Sequence, residues 1–510
     1  MHFRGPAITN NNDQKKRKKK KFPPQKSINR TWKKFSKRKF HKALAVLPFD
    51  PVKPPAIHHS NELLSAGYER AAEECRRKAE KITKECKRVN MRYRDPYWIL
   101  DWDLKFEKGH CLNNLGSQKF ELNETTRANP RSVVPKAAKR VHETFENSTF
   151  MKGVSGGDVM QGSLGNVPEG LQRICVTTTQ RSALEDLSFI LMVNESTPSS
   201  TRELLQQIDR DDNESFYRKT YQSGSKALFF AQCRDRNETW VPLFEKVFAK
   251  AHSDYASLAV GWIGEGIEDL SGGVTTKLLT SNILDIDEFW DKEMSRVNDE
   301  FLFGASTGLL EHGYGERNGI SKGHAYVVME ARTLKSGQRL VKLRNPWGVD
   351  YRSAGGGPQV WQRLCWISYE DLVRKFSHFD RTRLFRDRDW RCCQCWLGVD
   401  VPWKAAYHEK FHIKLTQDSP LVLVVSQLDG RYFKGLQGQY SFRLDFRLHC
   451  EDSPDAEDYI VRSHGNYLME RSVSVELPVF PAGNYVVYLK VTGERHSNGQ
   501  SVEQVELAGQ

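Results

Sequence analysis

The chain lacks any long hydrophobic run, and no stretch approaches the ~18 apolar residues from which a membrane-spanning helix is built. Its N-terminus is basic and lacks the apolar segment of a secretory signal peptide. Cysteine is sparse, with ten in 510 residues, which favours free thiols in a reducing compartment. These absences predict a protein without a transmembrane segment, located in the cytoplasm or the nucleus.

Positive charge is concentrated in one tail. Residues 1–42 carry 16 Lys or Arg and one Asp, whereas the formal net charge of the whole chain is +13, so the remainder is close to neutral. The run Lys15–Lys21 is a candidate nuclear-localisation signal or a patch that contacts polyanions or phospholipids, and a solvated tail is the alternative. No aromatic platform or nucleic-acid fold signature accompanies it.

Two regions precede the main body. Residues 1–60 are basic and then Pro-rich, which predicts disorder. Residues 61–129 form a helical N-terminal region that begins with a long helix expected over 62–93 and ended by Asp95-Pro96. The apolar positions of this helix recur at alternating steps of four and three: Tyr68, Ala72, Cys75, Ala79, Ile82, Cys86, Val89 and Tyr93. Such a stripe docks on the body or pairs with a partner.

A histidine and an asparagine flank a predicted β-hairpin. Ala325–Glu330 and Arg339–Arg344 alternate like strands, and the polar turn Thr333–Gly337 joins them. His324 and Asn345 lie at nearly equal distances from the turn centre, so they should meet within a residue or two. An amide that orients an imidazole is the second half of a Cys-His-Asn hydrolytic site.

Those motifs resemble a known family. Gly-His-Ala-Tyr at 323–326 and Arg-Asn-Pro-Trp-Gly at 344–348 resemble the His and Asn motifs of the calpain family of cysteine endopeptidases. Residues 228–255 are similar to the long helix of the calpain core, 265–273 to the segment before the His motif, and 366–372 to the segment after the Asn motif. The resemblance implies hydrolysis of peptide bonds in protein substrates.

The predicted fold class is α+β. The resemblance implies a papain-like core, incomplete, which we place at 130–388. Residues 389–510 are expected to form an antiparallel β-sandwich, because apolar and polar residues alternate between turn signals. Its position behind the core resembles the calpain-type β-sandwich, which is related in shape to C2 domains. No EF-hand loop signature occurs in the sequence, so the family's penta-EF-hand domain is not expected.

The nucleophile motif is interrupted. The family pattern Gln-Gly-x-x-Gly-(Asp or Asn)-Cys-Trp is matched by Gln161–Asn166, and then Val167 and Pro168 follow. Val167 cannot ionise or form an acyl-enzyme, so no residue of the motif supplies the nucleophile. Cys175 is the nearest cysteine, and we interpret it as a structural thiol.

The resemblance also implies roles for four residues. His324 would carry the proton, Asn345 would orient His324, Trp347 would shield that contact from water, and Gln161 would help bind the oxyanion. Calpains are activated by calcium, so calcium is the cofactor that the resemblance implies, although the altered first lobe allows no ligand to be assigned.

Two explanations for the missing nucleophile stay open. A second break in the resemblance, between Val349 and Leu364, favours a gene whose segments are skipped or mis-joined. A decayed pseudoenzyme is the other explanation. The function predicted is therefore an intracellular, calcium-dependent cysteine endopeptidase that is inactive as written. A non-catalytic calpain-like protein, which binds partners through its cleft and sandwich, is the alternative.

The sequence also contains one spacing typical of a zinc site. Cys392, Cys395, His408 and His412 match the spacing of a two-Cys, two-His zinc finger. However, Phe411–Leu415 alternates like a strand, on which residues four apart are ~13 Å apart, too far to share one ion. We therefore predict no zinc or other metal site at these four residues.

Overall fold

A computed structural model provides the structure. The residues that it describes are 59–95, 98–100, 137–152, 159–160, 190–193, 223–224, 227–228, 230–252, 254–258, 261–308, 316–317, 320–321, 323–345, 364–395, 409–429, 440–453, 455, 457–465, 468–469 and 471–495. The predictions for the Lys15–Lys21 patch and the disordered tail therefore concern residues outside the described part. Among the described helices, none is both long enough and apolar enough to cross a membrane.

The first described elements are strand β1 (His59–Leu63) and helix α1 (Leu64–Val89). The helix was predicted to continue to residue 93, which is wrong. It ends at Val89 because Asn90 adopts the left-handed conformation, with φ of 51°, and the Met91 N–H then donates to the Cys86 carbonyl at 3.1 Å. No side chain of α1 is buried against the rest of the described chain.

A small mixed α and β region follows. Its elements are β2 (Ala137–Arg140), α2 (Val141–Thr144), β3 (Val159–Met160), β4 (Ile190–Val193), β5 (Gln232–Cys233) and α3 (Trp240–Ala251). β2 pairs with β4 and β3 pairs with β5, both antiparallel. Large apolar side chains from these elements and their connections form one core, including Trp98, Phe145, Val159, Phe230, Trp240, Phe248 and Tyr255.

Helix α3 is shorter than the sequence suggested, since the helical resemblance covered 228–255. Residues before Trp240 are held elsewhere: the Thr239 N–H donates to the Thr149 carbonyl at 3.1 Å, and Glu238 forms a β-bridge with Thr149. Pro242 also restricts the helix, because proline is tolerated only in the first turn. The long-helix expectation was therefore wrong at both ends.

A six-stranded antiparallel sheet forms the next layer. The elements here are α4 (Ile263–Ser271), β6 (Val274–Leu279), α5 (Ile286–Lys292), β7 (Phe301–Ser306), β8 (Glu316–Arg317), β9 (Ile320–Ser321), β10 (Ala325–Thr333), β11 (Arg339–Arg344), β12 (Leu364–Ser368), α6 (Tyr369–Lys375) and β13 (His378–Arg383). The strand order is β12-β11-β10-β7-β13-β6. The predicted β10–β11 hairpin is confirmed, with Gly337 at φ of 83° in its turn.

Helix α4 lies close against this sheet, at a distance that only glycine allows. A Cβ at Gly264 would lie 2.6 Å from the Thr275 methyl group and 2.7 Å from an Asp380 carboxylate oxygen. Aromatic side chains fill the opposite side of the sheet, among them Phe289, Trp290, Phe303, Tyr369 and Phe379.

The C-terminal part is a β-sandwich. Strand β14 (Arg391–Gln394) first pairs with β1, and β15 (Glu409–Leu415), β16 (Ser419–Ser426), β17 (Tyr440–Cys450), β18 (Val461–Arg462), β19 (Ser472–Phe480) and β20 (Gly483–Arg495) follow. One sheet has the order β15-β20-β17-β18, and the other pairs β16 with β19. The core between them includes Leu444, Phe446 and Val487 from the first sheet and Val473 and Phe480 from the second. The predicted α+β fold class, a mixed core followed by an antiparallel sandwich, is confirmed, whereas the domain boundaries at 60, 129 and 388 stay predictions.

Polar side chains join the sandwich to the six-stranded sheet. Glu476 on β19 accepts hydrogen bonds from Arg381 at 2.5 Å and Arg383 at 3.2 Å, both on β13. The hydroxyl groups of Ser474 and Thr276 lie 2.9 Å apart, which links β19 to β6. Because the Glu476 side chain is only 12% exposed, this carboxylate neutralises arginines that are largely shielded from water.

Replacing Glu476 with Gln should lower the free energy of unfolding by about 1–3 kcal/mol, because two poorly solvated guanidinium groups lose their shared counter-charge. Urea unfolding followed by tryptophan fluorescence measures this change. The matched control is Glu494→Gln on the exposed end of β20. Equal effects of the two substitutions would contradict the stabilising role of Glu476.

Helix α3 also buries a carboxyl group. Glu245 has no exposed surface, and one of its oxygens accepts the Ala231 N–H at 2.8 Å. Its other oxygen has no hydrogen-bond partner within the described part of the chain. Burial therefore raises the pKa of Glu245 to about 8, against the opposing effect of the Ala231 hydrogen bond.

Glu245 should couple folding to pH. Its pKa is higher in the folded protein than in the unfolded chain, so its stabilisation is complete below the unfolded value and is lost as the pH rises towards 8. Glu245→Gln mimics the protonated acid, so the variant should gain stability relative to the parent chain between pH 5 and pH 9, on the order of a few kcal/mol. Urea midpoints across this range test the effect.

The exposed Glu146→Gln substitution is the control for that comparison, and it should leave the pH dependence unchanged. If the parent chain and Glu245→Gln lost or gained stability in parallel across the range, Glu245 would not hold a proton in the folded state.

Candidate active site

The site is built at the open end of the β10–β11 hairpin. His324 immediately precedes β10, and Asn345 immediately follows β11. The strand register pairs Val327 with Arg344, which leaves the two residues two positions from direct opposition. Their side chains bridge that offset, and His324 Nε2 lies 2.9 Å from Asn345 Oδ1. The structure therefore brings together the pair that the sequence singled out.

The backbone of His324 is fixed by the neighbouring strand. The Thr307 N–H, just after β7, donates to the His324 carbonyl at 3.0 Å, and the His324 N–H donates to Thr307 Oγ1 at 3.2 Å. Gly323 has φ of 64°, and its N–H donates to the Gly308 carbonyl at 3.3 Å. Glycine accepts this left-handed conformation without steric cost. Hydrogen bonds to Thr307 and Gly308 therefore fix the backbone at His324 and Gly323, which sets the position from which the imidazole extends.

The surroundings of His324 favour the neutral ring. Burial lowers the pKa of His324 below its usual value of 6.5, and the hydrogen bond to Asn345 opposes that effect. Because a carboxamide oxygen only accepts hydrogen bonds, Nε2 carries the proton and Nδ1 is the basic nitrogen. Near neutral pH this arrangement presents an oriented imidazole that can accept a proton at Nδ1.

Arg344 connects this hairpin to the mixed region. Its guanidinium is 2% exposed and donates to the Val159 carbonyl on β3 at 2.6 Å. The residue after β3 is Gln161, the first residue of the interrupted nucleophile motif. Arg344 thus ties the strand that carries Asn345 to the strand that leads into that motif. Sequence reasoning missed this role, although Arg344 is the first residue of Arg-Asn-Pro-Trp-Gly.

The remaining predicted site residues lie outside the described part of the chain. They are Gln161, Trp347 and Val167, which occupies the nucleophile position, and their roles stay predictions. Cys175 also lies outside it.

The described residues offer no assembled metal site. Within them, no group of three or more His, Cys, Asp or Glu side chains is arranged to hold an ion. His412 lies on β15, as its alternation predicted, and its Nδ1 is 3.1 Å from Glu451 Oε1, whereas His408 falls outside the description. Within the described part of the chain, no ligand is therefore assigned to a calcium or zinc ion.

Known proteins match the part of the chain that carries this geometry. Residues 219–381, which include His324 and Asn345, match the family described as calpain family cysteine protease. A calpain-type cysteine protease, DEK1 of Arabidopsis thaliana, is 36% identical over 196 residues, which cover 34% of this chain and 9% of that protein.

Human calpain-12 is 36% identical over 126 residues, covering 24% of this chain and 17% of that protein. A calpain of Schistosoma mansoni is 27% identical over 267 residues, or 46% of this chain and 32% of that protein. The chain therefore spans less than a third of the length of these relatives. The family match and these relatives agree with the His–Asn geometry, and they support membership of the calpain family of cysteine proteases for the part of the chain that they cover.

Proposed function

We propose that this chain is a calpain-type cysteine endopeptidase core in which the proton-transfer half of the active site is built and the nucleophile is missing. The observation that carries the proposal is the 2.9 Å contact between His324 and Asn345, in a sequence that has Val167 where the motif requires cysteine. The chain as written would then not hydrolyse peptide bonds.

The chemistry that this geometry would support is hydrolysis of a peptide bond through a covalent acyl-enzyme. A thiol at position 167 would give its proton to His324 Nδ1, and the resulting thiolate would attack the peptide carbonyl. Asn345 holds the imidazole through Nε2, so Nδ1 stays aimed while the ring gains and loses the proton. Gln161 would donate to the oxyanion, and the imidazolium would protonate the leaving amine.

The missing sulfur removes the bond-forming step, since valine has no lone pair to offer. By analogy with a serine protease, loss of the nucleophile costs about 10⁶ in rate. Calcium dependence, protein substrates and a cytoplasmic or nuclear location belong to the proposal as well, and family membership supports them.

A second function is non-catalytic binding of protein segments in the cleft. The observation that favours it is the buried Arg344 contact with Val159, which joins the hairpin to β3 although the nucleophile is absent. Such a cleft can still bind an extended peptide without cleaving it.

The decisive experiment restores the motif. Val167→Cys combined with Pro168→Trp recreates Gln-Gly-x-x-Gly-Asn-Cys-Trp, and this variant should hydrolyse casein in the presence of calcium, whereas the parent chain should not. Hydrolysis should disappear when iodoacetamide alkylates the new thiol, because the thiolate is the attacking group.

The restored variant that also carries His324→Ala is the matched control, and it should lose activity because nothing takes the thiol proton. Hydrolysis by the unaltered chain, sensitive to iodoacetamide, would contradict the proposal. Casein binding without hydrolysis by both the parent and the restored chain would support the non-catalytic function instead.

The Asn345 contact makes a separate prediction about His324. Asn345→Asp places a carboxylate beside Nε2, which stabilises the imidazolium, so the pKa of His324 should rise by about one unit or more. A titration of the His324 Cε1 proton by NMR, with ¹³C-labelled histidine, measures the shift. Asn282→Asp, on an exposed turn after β6, should leave that titration unchanged. An unchanged His324 titration in Asn345→Asp would show that the contact does not form.

A further inference from the structure

Helix α1 presents an apolar stripe that the rest of the described chain does not bury. Along the helix, the stripe residues are Tyr68, Ala72, Cys75, Ala79, Ile82, Cys86 and Val89. No α1 side chain is buried; Tyr68 is 60% exposed and Val89 is 44% exposed. Their alternating steps of four and three are the repeat of a two-stranded coiled coil, in which each helix covers the stripe of the other.

We propose that α1 pairs with α1 of a second copy of this chain as an antiparallel coiled coil. This inference is independent of the peptidase chemistry. When two copies of the stripe run in opposite directions, Ala72 meets the partner's Val89, Cys75 meets the partner's Cys86, and Ala79 meets the partner's Ile82. Two-fold symmetry repeats each layer, so the stripe from Ala72 to Val89 is covered along its whole length.

Side-chain size favours the antiparallel direction. Two of the three layers place alanine against a larger β-branched residue, so the space left by one side chain is filled by the other. A parallel pair would instead stack Ala72 on the partner's Ala72 and Ile82 on the partner's Ile82. Its layers would then alternate between gaps and crowding, both of which destabilise packing.

Charge favours the same direction. In the antiparallel pair, the flanking position of Lys78 faces the partner's Glu85, and symmetry makes this contact twice. In a parallel pair, Lys78 would face the partner's Thr83, and no opposite charges would meet. Within one chain, Lys78 pairs with Glu74 at 2.5 Å and Glu85 with Arg88 at 3.0 Å. Both pairs are exposed, so exchanging them for contacts with the partner costs little.

The body holds one end of the helix. β1 pairs with β14, and the Leu64 N–H donates to the Trp390 carbonyl at 2.9 Å, so the first turn of α1 is attached to the folded chain. The helix has 26 residues, which corresponds to about 39 Å. The stripe therefore belongs to an ordered helix that is long enough to form all the proposed layers.

Sedimentation of the full chain and thiol cross-linking test the proposal together. The chain should sediment as a dimer at micromolar concentration. Copper–phenanthroline in air should oxidise Cys75 of one copy and Cys86 of the other to a disulfide, with two electrons and two protons passing to oxygen. Within one helix these cysteines are 11 residues apart, about 16 Å along the axis, so a Cys75–Cys86 linkage found by mass spectrometry must join two chains.

Substitutions on α1 separate the outcomes, and none of them touches a buried residue. Ile82→Asp should abolish the dimer, whereas Arg77→Asp on the opposite face should leave it intact. Lys78→Glu and Glu85→Lys should each weaken the dimer roughly threefold or more, and the double variant should restore it because the charges are exchanged symmetrically. A chain that stays monomeric up to a concentration of about 100 μM would overturn the antiparallel pair. Disulfides that join Cys75 to Cys75 and Cys86 to Cys86 would overturn it as well.

Discussion

The antiparallel pairing of β10 with β11 is the constraint on which the candidate site depends. Side chains alternate faces along a strand, so a shift of one residue would carry His324 and Asn345 to opposite faces of the sheet. The turn at Gly337 and the buried side chains of Val341 and Leu343 set the register, since only one alignment keeps those apolar groups in the core. The imidazole–carboxamide contact follows from packing that lies well away from it.

Arg344 connects the hairpin that carries the candidate site to β3 in the mixed region. Its position next to Asn345 means that the same strand end orients the imidazole and contacts the Val159 carbonyl on β3. A cationic side chain that is almost fully buried is costly unless its hydrogen bonds are satisfied. The contact therefore has structural value whether or not a thiol completes the site.

Local sequence patterns predicted the hairpin and the sandwich strands, because periodicity and turn residues act within a few positions. The end of α1 was missed because a single residue, Asn90, stops the helix before the proline that was expected to do so. The start of α3 was missed because Thr239 is bound to Thr149, a contact across 90 residues that no local pattern encodes. Arg344 and Glu476 were overlooked for the same reason: their partners are distant in sequence. The His–Asn pair could be predicted from the sequence because a short turn brings both residues together.

The sandwich has a consequence for the last strand of the six-stranded sheet. β6 has a neighbour on one side only among the described strands, and its Thr276 and Lys277 point to opposite faces of the sheet. Thr276 contacts Ser474, and the Lys277 ammonium donates to the Leu468 carbonyl at 2.8 Å, so the sandwich wraps around this edge. A bare β-edge is a template for sheet growth between molecules. The sandwich thus shields this edge strand from pairing with other molecules. A core expressed without the sandwich would expose the edge strand and should aggregate more readily.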